Sequence, residues 1–122
     1  MQQAKCNIEY DEGILVISVS GDIDHHSAKP LREEIDTNLY LYRAKTVIMD
    51  LSGVSFMDSS GLGLILGRYS RVNDLEGRMI IANPDESVSK ILALAGTDRL
   101  ITIKRTDETA SHRYFNTEVK RG

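Results

Sequence analysis

Residues 46–51, Thr-Val-Ile-Met-Asp-Leu, form an almost wholly apolar run too short for a helix of ordinary length, with helical periodicity on either side of it. A strand without apolar and polar alternation is covered on both faces, so helices must lie over the sheet it belongs to. Ala28, Leu31, Ile35, Leu39 and Tyr42 recur at helical spacing before the run, and Leu62, Leu66, Tyr69 and Val72 do so after it. Helix, buried strand and helix in succession exclude an all-helical bundle and an all-β sandwich, and predict an α/β layer structure.

The flanking segments extend the pattern. Lys5 to Tyr10 and Ile14 to Ser20 read as two strands joined by Asp11-Glu12-Gly13, a hairpin composition that adds an antiparallel edge. Pro30 lacks an amide proton and is best tolerated in a first helical turn, so Ser27 is preferred to Asp24 as the cap of the first helix. Ser52 to Asp58 reads as a loop, and the second helix closes through Asn73 to Gly77. Arg78 to Ala82 is a strand, Pro84 to Ala95 a helix and Leu100 to Lys104 a last strand. A terminal helix through Ala110, Tyr114 and Phe115 is predicted, with a frayed end. The expected architecture is a single domain over residues 1–122, a small mixed sheet with helices packed against it.

A chain of 122 residues can bury roughly two-thirds of its unfolded surface in one core. With 41% hydrophobic and 27% charged residues it is an ordinary globular composition. The longest nearly apolar stretch, 61–67, is far below a bilayer crossing, and residues 1–5 carry no signal-peptide core. Cys6 is the sole cysteine, which rules out an intrachain disulfide and matches a reducing, cytoplasmic setting. The formal net charge is -3, with ten acids against five bases up to Ile65. That balance provides no footprint for nucleic acid or membrane and favours a basic protein partner.

The chemistry-bearing stretch is Phe56-Met-Asp-Ser-Ser-Gly-Leu-Gly63, where a strand hands over to a helix, the usual ligand edge of an open α/β sheet. Asp58 or Ser59 can cap that helix. Gly61, Gly63 and Gly67 fall inside it, each costing roughly 1 kcal/mol relative to alanine. Two compensations are open: close packing of the helix on its sheet, or a low surface at Gly63 and Gly67 for another protein's backbone. A phosphate loop fails for want of a lysine between Lys45 and Lys90. The glycines read G-x-G-x-x-x-G, not the dinucleotide fingerprint, and Met57 stands where a nucleophile elbow needs glycine. Asp22, Asp24, His25 and His26 carry metal-ligand side chains but lack a second acid-histidine cluster, so no metal is expected. Their default role is a polar loop at a helix N-terminus. Arg68 and Arg71 are placed at the negative end of the helix dipole, and His112 is read as solvated.

Two stretches resemble a known family. Gly21-Asp-Ile-Asp-His-His-Ser-Ala28 is similar to G-E-L-D-H-H-T-A, and Leu51 to Tyr69 carries F-M-D-S-S-G-L-G-x-I-L-G-R-Y, both patterns of the anti-sigma factor antagonists of the STAS-domain family. The similarity spans about Gly13 to Arg105 and is nearest to the sporulation branch, which antagonises the anti-sigma F factor. It implies a non-enzymatic regulator that is monomeric when free, needs no cofactor and works by partner switching. The unphosphorylated form binds an anti-sigma factor with serine kinase activity, and a PP2C-type phosphatase reverses phosphorylation. Carried onto this chain, the resemblance makes Ser59 the phosphoacceptor. Asp58, Ser60, Gly61, Gly63 and Gly67 belong to the docking surface, with Asp22 and Asp24 flanking it. Ser59 at the mouth of the helix is the expected acceptor over Ser60, which should be turned into the first turn. Pro30 and the polar end after Arg105 have no counterpart in the pattern. The competing reading is a small hydrolase or phosphoryl-transfer enzyme using Ser59 with the Asp22 to His26 cluster.

Overall fold

The computed structural model describes residues 2–106. Five strands form one mixed sheet in the order β1-β2-β3-β4-β5. The edge hairpin joins β1 (Lys5–Asp11) antiparallel to β2 (Ile14–Ile23). Glu12 and Gly13 turn the chain with φ of 46° and 85°, the positive pair that a tight twisted hairpin requires. β3 (Thr46–Met57), β4 (Arg78–Ala82) and β5 (Thr102–Lys104) follow in parallel.

The intervening helices are α1 (His25–Tyr42), α2 (Ser59–Asp74), α3 (Glu86–Leu94) and the short α4 (Thr97–Leu100). α1 and α2 pack on each other, α1 also on β2 and α2 on β3 and β4. The register puts Leu15 beside Val47 and Val47 beside Met79, and aligns Ile17, Met49 and Ile81 in the same way. These rows meet Leu31, Ile35 and Leu39 of α1 and Leu64, Ile65 and Val72 of α2 in one buried cluster. Each such side chain contributes roughly 1.5–3 kcal/mol by leaving water.

The predicted loop at 52–58 is instead the second half of β3. β2 likewise runs on to Ile23, and the pair continues through Gly21↔Val54, Asp22↔Phe56 and Ile23↔Met57 past two register shifts. The shifts let the strands bend while Val54 and Met57 stay in the core, and the outward Ser52, Gly53 and Ser55 give the segment its loop-like composition. Gly21 takes φ 97°, and a Cβ there would stand 2.8 Å from the Gln3 carbonyl oxygen. That close approach lets the Asp22 amide donate to the Gln2 carbonyl at 2.8 Å and the Ala4 amide to the Asp22 carbonyl at 3.1 Å.

Asp24, not Ser27, caps α1. Its carboxylate accepts from the His26 and Ser27 amides, while Ser27 Oγ accepts from the Asp24 amide, a reciprocal capping box. Pro30 therefore lies in the second turn, and the buried Leu31, Ile35 and Leu39 hold the helix through the missing hydrogen bond. The buried stripe of α2 is Gly61, Leu64, Ile65, Arg68 and Val72. Of the predicted inner positions only Val72 is fully buried, and Leu62, Leu66 and Tyr69 are partly so. α3 begins after Asp85, whose side chain accepts from the Val88 amide, rather than at Pro84. α4 occupies the start of the predicted last strand. The predicted terminal helix and His112 lie outside the described residues.

Candidate functional site

Ile23 and Met57 are paired at the ends of adjacent parallel strands, so the next residues, Asp24 and Asp58, become the caps of α1 and α2 side by side. The Asp58 amide donates to the Ile23 carbonyl at 3.2 Å, locking the two strand ends together. Asp58 is the helix cap that the sequence left open between two residues: its Oδ1 accepts from the Ser60 amide at 2.8 Å. Ser59, the first residue of α2, is exposed, and among the described residues its hydroxyl makes no hydrogen bond. Ser60 is half-buried.

The Asp22 to His26 cluster divides between structural tasks. Asp22 is only 9% exposed, and its carboxylate accepts from Ser55 Oγ at 3.1 Å. Its carbonyl accepts from Ser27 Oγ at 3.0 Å. The Asp24 carboxyl is held below the usual carboxylate range, first by the Ser27 amide that it accepts from and also by the His26 amide. His25 and His26 are exposed and meet edge to face, with centroids 5.7 Å apart. Among the described residues no three His, Cys, Asp or Glu side chains are grouped to hold a metal ion.

The glycines serve both compensations. A Cβ on Gly61 would lie 2.7 Å from Met57 Cβ, so α2 packs on its own strand end there. Among the described residues a Cβ at Gly63 or Gly67 would meet nothing within 4 Å, which leaves an open, low helix surface. Beside Gly63 is a groove of about 480 Å³ lined by His25, Ala28, Lys29 and Arg32 of α1 and by Ser60 and Gly63 of α2.

Several neighbours of this edge make contacts that the sequence did not reveal. Phe56, paired with Asp22, exposes 44% of its surface, and Ser87 at the start of α3 donates to Asp85 Oδ1 at 2.9 Å, with the Ser55 carbonyl 3.5 Å from the same hydroxyl. Arg68 lies short of the last turn of α2 and is not placed at the end of the dipole. It is 5% exposed, with Nε 2.9 Å from Asp36 Oδ1 of α1. No hydrogen bond joins the two atoms, so the attraction is Coulombic. Burial lowers the Arg68 pKa, and Asp36 opposes that shift. The signal was its spacing, since Leu64, Arg68 and Val72 form one i, i+4 stripe. Arg71, in the last turn of α2, donates from Nη1 to the Tyr40 hydroxyl at 2.8 Å.

Residues 5–110 match the STAS domain. This chain belongs to the STAS-domain family. Among STAS relatives, the anti-sigma F factor antagonist of Paenibacillus polymyxa is 32% identical over 96 residues, covering 79% of this chain and 82% of the relative. That of Lysinibacillus sphaericus is 38% identical over 82 residues, covering 67% and 70%. The anti-sigma factor antagonist SpoIIAA in its unphosphorylated form superposes with a TM-score of 0.66 at 28% identity, over 97% of this chain and 99% of that one. The phosphorylated form of Bacillus SpoIIAA gives 0.69 at the same identity, over 96% and 98%. The mixed five-stranded sheet with four helices is the STAS arrangement that the resemblance implied. Among the described residues no helix is long and apolar enough to cross a membrane.

Proposed function

We propose that this STAS domain is an anti-sigma factor antagonist whose state is set by phosphorylation of Ser59. The unphosphorylated chain binds an anti-sigma factor that is also a serine kinase, and the bound sigma factor is released. The kinase, with its own ATP and Mg²⁺, then transfers phosphate to Ser59, and a PP2C-type phosphatase restores the binding form. The chain itself is substrate and ligand, with no catalytic residue.

The observation that carries this reading is the placement of Ser59: an exposed hydroxyl with no hydrogen bond among the described residues, at the first position of α2 beyond a cap that Asp58 already supplies. Because Asp58 takes the capping task, Ser59 is available to a partner at no cost to the helix. Asp24 and Asp58 rim the surface, Gly61 seats the helix, and the open Gly63 and Gly67 admit a partner's backbone. A phosphoryl group brings about -1.5 to -2 charges. In a docked interface the bulk of that group and the desolvation of its charge, next to the Asp58 carboxylate, oppose binding.

The test is incubation with the anti-sigma factor from the same genome, ATP and Mg²⁺, followed by mass mapping. Phosphate on Ser59 is the expected result, and phosphate on Ser60 with Ser59 bare overturns the site. Ser59→Ala should still bind the partner and Ser59→Asp should bind poorly. Turnover of phosphate or carboxylic esters by the isolated chain, lost in Ser59→Ala, would overturn the regulator in favour of a hydrolase.

A further inference from the structure

We infer that the groove between α1 and α2 receives an acidic segment of the same partner that reaches Ser59, a conclusion that rests on the partner-binding reading above. His25, Lys29 and Arg32 lie at i, i+4 and i+7, one stripe of α1, and form one wall of the groove. Ser60 and Gly63 of α2 form the other, and among the described residues no carboxylate lines it. In a chain of net charge -3 this is a local reversal of sign.

The two cations are available. Lys29 and Arg32 are exposed, and among the described residues neither has a carboxylate within ion-pair distance. The acids one turn further along α1 do not serve them: Glu33 lies beyond 4.0 Å of Lys29, and Asp36 is engaged by Arg68. The groove is also next to the acceptor. Ser59 and Gly63 are one helical turn apart on α2, and among the described residues nothing stands above Gly63 within 4 Å.

A stable protein interface covers roughly 800 Å² on each partner, so a surface closing over Ser59 extends across its neighbour Ser60 and Gly63 into the groove. Covering unpaired cations with neutral or basic surface loses their hydration without return, whereas carboxylates replace it and raise the association rate. Discrete acidic side chains suit the site better than a polyanion. The caps Asp24 and Asp58 stand at the N-termini of the two helices that form the groove, where a continuous phosphate backbone would meet them. The partner surface is therefore of mixed sign, with acids opposite Lys29 and Arg32 and bases opposite Asp24 and Asp58.

Titration calorimetry with the anti-sigma factor tests this. Lys29→Glu/Arg32→Glu should weaken binding roughly tenfold or more at about 0.1 M salt and flatten its salt dependence. Lys29→Gln/Arg32→Gln should fall between that variant and the natural chain, with melting temperatures unchanged throughout. If the natural chain binds and the charge-reversed variant matches it within about twofold, the groove proposal alone is overturned. No binding by the natural chain overturns the partner reading and this inference together. Binding of a single-stranded oligonucleotide through Lys29 and Arg32 at the same salt would overturn the acidic protein segment in favour of nucleic acid.

Discussion

Arg68 Nε stands 2.9 Å from Asp36 Oδ1, tying α2 to α1 through a cation that is almost entirely removed from water. Removing only the acid leaves that cation buried and uncompensated. Asp36→Ala should cost about 3 kcal/mol, at the low end for a buried pair because the Asp36 side chain keeps 24% of its exposure. The double variant Asp36→Leu/Arg68→Met should return to within about 1 kcal/mol of the natural chain. Urea unfolding of the three proteins measures both differences.

The glycines of α2 should respond with opposite signs. Gly61→Ala drives a methyl to 2.7 Å from Met57 Cβ and should destabilise by about 1–3 kcal/mol. Gly63→Ala and Gly67→Ala enter open space on a helix and should each stabilise by up to about 1 kcal/mol. Gly63→Leu should fold as well as Gly63→Ala and yet bind the anti-sigma factor less tightly. Chemical denaturation with partner titration separates the two effects.

Phosphorylation should act on binding and leave the fold unchanged. At the first position of α2 the helix dipole favours an anion by about 0.3–1 kcal/mol, and the adjacent Asp58 opposes it. The two nearly cancel, so the modified and unmodified chains should melt within a few degrees of each other while partner affinity collapses. A phosphorylated chain with lost amide dispersion or a far lower melting point would make the switch an order-to-disorder transition.

Asp24 should leave a signature in acid. Its folded pKa lies below the ordinary 3.8, so the ionised cap contributes stability fully above the unfolded pKa and loses it as pH falls through the folded value. Asp24→Ser keeps a neutral cap. The stability difference between natural chain and variant, measured by urea titration, should be constant near neutrality and shrink as pH is lowered past 3.8. A difference independent of pH would show that the carboxylate charge is not used.

Cys6 should be inert. Burial first, and then the Glu34 carboxylate, push its thiol up to about 12. At pH 8 the thiolate fraction is on the order of 10⁻⁴, so alkylation by iodoacetamide should be far slower in the native chain than after unfolding in urea. Equal rates in the two states would contradict the placement of this thiol beside Glu34.

The alternation of strands and helices, the edge hairpin at Glu12 and Gly13, the doubly covered run at 46–51 and the D-S-S-G stretch at a helix start are all legible along the chain. Each is written in local spacing or in a turn composition that few conformations satisfy. The continuation of β3 to Met57 is not, because its second half is held by pairing with Gly21 to Ile23, about 30 residues away, and not by its own polar residues. The same holds for the cap of α1. Asp24 wins over Ser27 because the paired strand ends at Ile23 and Met57 deliver it to the helix mouth, and core contacts then carry α1 through Pro30. The rotation of α2 that buries Arg68 against Asp36, and the meeting of Lys29, Arg32 and Gly63 across one groove, are relations between two helices. Periodicity along a single element reports which residues share a face, and packing alone decides what that face meets.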